Sequence, residues 1–214
     1  VAIADGAFQN SHVARVSLPN SIKKIGARAF GGPELQEVLV YSNSYNESLD
    51  PSECEIADDA FPNNADYHIY VPSDKVDDFQ QAWTMFADKI AAYPTTVTVG
   101  DYEYSYKQYD LTSATVSLKK YIGSDSYITL PESPRNGEKF LYITGIEDGA
   151  FADNKSIKTV TIPYTFSGYS FVVNRLFNGC SNLSKVFIKS NDLYRNLGFG
   201  ADCFSGCSSN LLIY

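Results

Sequence analysis

The stretch Ile-Glu-Asp-Gly-Ala-Phe, Ile146 to Phe151, recurs as Ile-Ala-Asp-Gly-Ala-Phe at Ile3 to Phe8, Ile-Gly-Ala-Arg-Ala-Phe at Ile25 to Phe30 and Ile-Ala-Asp-Asp-Ala-Phe at Ile56 to Phe61. With modest drift, Val172/Phe177 and Phe199/Phe204 keep the same five-residue step, which makes six rungs. A second pattern follows each Phe: Val13-Val16-Leu18-Pro19, Leu35-Val38-Val40, Ile157-Val160-Ile162-Pro163 and Leu183-Val186-Ile188. Its last two apolar positions alternate with a polar or exposed one, the two-residue period of a short strand with one buried face. Each unit therefore reads as a turn carrying Ala-Phe, then a short strand. Neighbouring Phe residues lie 22 to 31 positions apart, one coil of a solenoid plus loop insertions. A single unit of this kind cannot bury its own Ile and Phe, whereas stacked units can. The fold class expected is a β-rich repeat solenoid of short stacked strands with turns or short helices.

Between and beside the rungs the text changes. The segment Val71 to Pro94 spaces Val76, Phe79, Trp83, Phe86 and Ile90 by three and four residues, one apolar face of a helix. Ser73 reads as its N-cap, Asp74, Asp77 and Asp78 favour its positive end, and Pro94 stops it. The expectation is one capping helix over about 73–91 that covers the open coil and strand edge of a first array spanning 1–93. From Thr95 to Ile143 no Ile-to-Phe rung is read. Runs rich in Val, Thr and Tyr separated by Gly, Asp and Ser predict antiparallel strands or hairpins, a cap over 94–143 leading into a second array, 144–214. Two small arrays result, with a single continuous solenoid and lateral helix as the other arrangement.

The string I-x-x-x-A-F … L-x-x-V-x-I-P-x-x-I-x-x-I-G-x-x-A-F, read over Ile3 to Phe30 and again from Ile146, resembles the BspA-type leucine-rich repeat of bacterial surface proteins. The resemblance covers roughly 1–71 and 145–214. It implies a leucine-rich-repeat scaffold, and a secreted or surface-displayed binding or adhesion role. The chain departs from a tidy array at the insertion before Ile56 and from Tyr93 to Ile143.

Composition narrows the partners. The chain has 214 residues, 44% of them hydrophobic and 20% charged, enough to bury a core. Its 17 Lys and Arg against 25 Asp and Glu leave a net charge of -8, which repels a phosphate backbone, so no nucleic acid is expected. No window reaches the ~20 consecutive apolar residues of a membrane-spanning helix. The opening Val1 to Phe8 has neither the basic start nor the apolar centre of a secretion signal, and the repeat pattern is cut mid-unit at Tyr214. A signal or anchor would lie outside this stretch.

Catalytic and metal chemistry find little support. Cys203 and Cys207 are spaced like a ligand pair, but Cys180 and Cys207 each lie three residues after a rung Phe, and Cys203 takes the place of Ala29, Ala60 and Ala150. That register predicts buried thiols, with a Cys180–Cys207 disulfide as the alternative, and no metal. His12 in a turn and His68 on an outward strand position read as solvated. There is no glycine-rich phosphate loop before a helix, no G-x-S-x-G elbow and no H-E-x-x-H. No catalytic residue and no cofactor are expected, and the chain is read as a non-enzyme.

What remains is a surface. The strand positions between buried residues point outward. They are Arg15 and Ser17; Glu37, Leu39 and Tyr41; His68 and Tyr70; Thr159 and Thr161; Lys185, Phe187 and Lys189. Glu37, Tyr41, Tyr70, Thr159, Lys185, Phe187 and Lys189 are the candidate binding residues, because aromatic side chains give large contact area at low entropic cost. The competing use of the 16 Tyr and 13 Phe is stacking of coil on coil. A protein partner, host or matrix, is expected. A glycan-binding accessory module of a surface carbohydrate-uptake system is the alternative.

Overall fold

The computed structural model describes residues 1–40, 49–63, 66–163, 171–189 and 197–214. They form two compact units, Val1–Tyr93 and Pro94–Tyr214.

In the first unit each coil gives one strand to each of two parallel sheets. β1 (Ala2–Ile3), β3 (Lys24–Ile25) and β5 (Glu55–Ile56) form one, in the order β1-β3-β5. β2 (Arg15–Leu18), β4 (Glu37–Val40), β6 (His68–Val71) and β7 (Ile90–Ala92) form the other, in the order β2-β4-β6-β7. The register sets Ile3 beside Ile25 and Ile25 beside Ile56. Phe8 accordingly stacks on Phe30 at 5.3 Å between ring centroids, and Phe30 on Phe61 at 5.5 Å. The backbone locks this ladder: Phe8 N–H donates to Ala29 O at 2.7 Å and Phe30 N–H to Ala60 O at 2.9 Å. In-register stacking places each residue over its own copy, which is the physical reason the six letters recur.

Glycine two places before the rung Phe has its own cause. Gly6 and Gly149 sit at φ 63° and 72°, and the equivalent Arg28, Arg175 and Asp202 are held at 52°, 54° and 56°. Five of the six rung turns thus use the left-handed region that glycine enters without strain; Asp59, the equivalent residue before Phe61, does not.

The capping segment departs from its expected form. Only Val76–Ala82 is α-helix (α1), flanked by single 3-10 turns at Ser73–Lys75 and Thr84–Phe86. Pro72, not Ser73, precedes the first turn, and no side chain caps it. The chain then turns extended as β7, well before Pro94, because the open edge of β6 needs a partner. Ile69 N–H donates to Lys89 O at 2.8 Å and Tyr93 N–H to Val71 O at 3.0 Å. Phe79, Trp83, Phe86 and Ile90 are buried all the same, and Phe86 closes the ring stack edge-on against Phe61 at 5.2 Å.

The second unit opens with β8 (Thr96–Val99), β9 (Tyr102–Tyr109) and β10 (Ser113–Tyr121), antiparallel in sequence. β11 (Tyr127–Thr129) follows, then β12 (Arg135–Asn136) and β13 (Lys139–Ile146), the last running parallel to β10. β14 (Thr159–Ile162), β15 (Phe171–Val173), β16 (Lys185–Ile188), β17 (Leu197–Phe199) and β18 (Leu212–Ile213) complete it. Among the described residues three sheets result, ordered β12-β13-β10-β9-β8, β11-β14-β16-β18 and β15-β17.

This unit corrects two points of the sequence reading. The stretch thought free of rungs holds one: Leu118 lies beside Ile146, Tyr121 N–H donates to Ala150 O at 2.9 Å, and β11 is the first strand of the coil sheet. Tyr in place of Phe and a step shortened to three residues hid it. The fifth rung is Val173, which pairs with Phe199, while Val172 is 65% exposed. Its step to Phe177 is four residues, the turn being one residue shorter.

Four of the six rung Phe rings, Phe30, Phe61, Phe151 and Phe177, are buried. The expectation of six fails at Phe8, 43% exposed, and at Phe204, half-buried, because among the described residues each stacks on one neighbouring rung only.

Candidate functional site

The side chains between the buried positions of the longer coil strands form an outward sheet face in each unit. In the second unit β11, β14, β16 and β18 align residue for residue, giving the row Tyr127, Thr159, Lys185, Leu212 and beside it the row Thr129, Thr161, Phe187. Tyr214 joins the second row by stacking on Phe187 at 5.0 Å and 13° between planes. Tyr127 is 74% exposed, Lys185 and Lys189 are exposed, and Thr159 and Phe187 are half-buried. The candidate residues Thr159, Lys185, Phe187 and Lys189 thus lie on or beside one continuous face. No carboxylate side chain stands in either row.

Tyr127 and Thr129 were missed because their coil was missed. The signal was present: Tyr127-Ile128-Thr129-Leu130-Pro131 parallels Thr159-Val160-Thr161-Ile162-Pro163 position by position.

The face of the first unit is different. Arg15, Glu37 and His68 share one row, and Ser17, Leu39 and Tyr70 the next. Glu37, expected to be free in solvent, is only 7% exposed, with Arg15 Nε 3.6 Å from its carboxylate, and Leu39 is fully buried. Tyr93, two residues beyond Ala91, the β-neighbour of Tyr70, donates its hydroxyl to Val40 O on β4. Tyr70 is half-buried and stacks on the exposed His68 at 5.6 Å. Tyr41 lies outside the described residues.

The remaining polar chemistry is occupied locally. Among the described residues no three His, Cys, Asp or Glu side chains converge as a metal site. His12 Nδ1 meets Glu34 at 2.8 Å on the surface. All four cysteines are free thiols, three of them buried. Cys180 Sγ donates to Phe151 O at 2.9 Å, Cys203 Sγ to Val173 O at 2.7 Å and Cys207 Sγ to Phe177 O at 3.2 Å, each reaching back one coil. Burial pushes the Cys180 thiol up to about 11, so it stays protonated and unreactive near neutrality. An open cleft of about 580 Å³ separates Pro51–Ser52 from α1; Lys75 and Asp78 in its lining pair at 3.1 Å, and Asp50 binds Ser52. No helix of the described residues is long and apolar enough to cross a membrane.

A family match agrees with this architecture. The sequence profile described as BspA type Leucine rich repeat region matches residues 1–127 and 102–213, in six copies. No curated protein matches the chain. Among solved structures, a leucine rich cell surface protein from Faecalibacterium prausnitzii is similar at 25% identity and a TM-score of 0.42, over 57% of this chain and 30% of its own. The chain thus spans less than a third of that protein. A leucine-rich repeat protein from Bacteroides capillosus is similar at 20% identity and a TM-score of 0.36, over 56% of this chain and 98% of its own. Taken with stacked coils whose Ile and Phe rungs set the register, the profile match over nearly the whole length places this chain in the BspA-type leucine-rich repeat family.

Proposed function

We propose that the chain is a non-enzymatic binding module displayed at the cell surface, and that it binds a protein partner through the outward face of the β11-β14-β16-β18 sheet. The observation that carries this reading is the alignment of Tyr127, Thr159, Lys185 and Leu212 on four in-register strands, beside Phe187 stacked on Tyr214. Rigid aromatic anchors held by a sheet lose little entropy on binding, and the two lysines, Lys185 and Lys189, favour an acidic patch on the partner. A protein of the host or its matrix fits that description. Coils that contact only their neighbours build extended surfaces, which suit such a partner better than a small substrate.

The test is solid-phase binding to a panel of immobilised extracellular-matrix proteins. Retention by at least one, weakened tenfold or more in a Tyr127→Ala, Lys185→Ala, Phe187→Ala triple variant that keeps its thermal unfolding midpoint, supports the reading. Retention that the triple variant leaves unchanged refutes the face.

A further inference from the structure

A second outward face lies on the sheet β12-β13-β10-β9-β8. Along β13 the side chains alternate, with Lys139, Leu141 and Ile143 buried, and Phe140 and Tyr142 outward, 39% and 57% exposed. The two rings stand nearly parallel, 6.5 Å apart and 19° between planes. The Arg135 guanidinium lies 3.7 Å over the Phe140 ring from the edge strand. Across the sheet, Ser113 is beside Phe140, and Thr115 lies between Tyr142 and Gln108.

We infer that this face is a carbohydrate-binding platform for a neutral glycan, with Tyr142 and Phe140 as stacking rings and Thr115, Gln108 and Ser113 as hydrogen-bonding groups. Exposed aromatic pairs on a rigid sheet mark interaction sites. Two features choose the occupant. The apolar area is confined to two rings, well short of the ~800 Å² per partner that a stable protein interface buries. Arg135 already covers one face of Phe140, so Tyr142 offers the more open ring; across the sheet the neighbours of the rings, Ser113, Thr115 and Gln108, are neutral hydroxyl and amide, matched to sugar hydroxyls, while an electron-rich ring face attracts the weakly positive C–H groups of a pyranose. Charge selects a neutral sugar. Lys119 pairs with Glu103 at 2.6 Å and Lys107 with Glu147 at 3.2 Å, Arg135 at the edge is engaged over the Phe140 ring, and the chain's net charge of -8 opposes a polyanion. The platform is separate from the proposed protein-binding face, and either can fail without the other.

The test is native gel electrophoresis in gels cast with soluble starch, barley β-glucan, xylan or galactomannan, run beside the Tyr142→Ala, Tyr142→Phe and Phe140→Ala/Tyr142→Ala variants, with circular dichroism as the check on folding. Both side chains are exposed, so the variants keep the fold. Retardation of the wild type by at least one polysaccharide, kept in Tyr142→Phe and lost tenfold or more in Tyr142→Ala and the double variant, is the expected result. No retardation by any polysaccharide, or retardation that survives the double variant, overturns the inference. So does a Tyr142→Ala loss confined to protein binding.

Discussion

Tyr121 packs against Phe151 at 5.8 Å between ring centroids, while its N–H reaches the carbonyl of Ala150, the same relation that Phe8 holds to Phe30 and Ala29. Tyr102 packs in turn against Tyr121 at 5.2 Å, the rings tilted by 48°. The ladder of the second unit therefore runs Tyr102, Tyr121, Phe151, Phe177, Phe204, and its tyrosine end belongs to the antiparallel segment. The cap and the coils share one core.

The middle of this ladder should be its most sensitive point. Phe151→Ala removes a fully buried ring with neighbours on both faces and is expected to cost ~3–5 kcal/mol, whereas Phe8→Ala, at the half-open end of the first unit's own ladder, should cost under ~2 kcal/mol. Urea unfolding of the two variants checks the order, and equal losses would contradict the stacked-coil account.

Backbone strain gives a prediction of opposite sign. Arg175 is held at φ 54° where other coils place glycine. Arg175→Gly should relieve a left-handed residue and raise stability by about 0.5–1 kcal/mol, net of the entropy glycine adds to the unfolded chain. A measured loss would mean that the Arg175 side chain makes a compensating contact.

The buried thiol sets a pH dependence. Cys180 has an ordinary value of 9.0 and is pushed up to about 11, chiefly by desolvation. Above pH 9 the unfolded chain releases this proton while the folded one keeps it, so stability present below pH 9 is lost as pH rises towards 11. Denaturation midpoints from pH 8 to 11 should fall, and Cys180→Ala should flatten the part of that fall beginning near pH 9. A midpoint that is level across this range in the wild type would refute the assignment.

The rungs were legible in the sequence because stacking forces each Ile and Phe over its own copy, leaving a period that reading alone detects. What escaped was written in other letters. Tyr121 substitutes for Phe, Val173 sits in a turn one residue short, and the helical spacing of Val76 to Ile90 is met by a short helix, a 3-10 turn and a strand. In the last case the hydrogen-bonding need of β6 overrode the local helical pattern. The surface was legible only by parity: alternation marked Thr159, Lys185 and Phe187, but it could not foresee that Glu37 and Leu39 would be covered, since covering is a tertiary event.

If binding is distributed over the coils, it can be read from the affinity of the single variants Tyr127→Ala, Thr159→Ala, Lys185→Ala and Phe187→Ala for a retained matrix protein, measured beside their combination. Each single change should weaken binding severalfold and the combination by far more, with thermal unfolding unchanged. One replacement that abolishes binding or activity completely, while its strand neighbours tolerate change, would contradict the account and point to a localised centre.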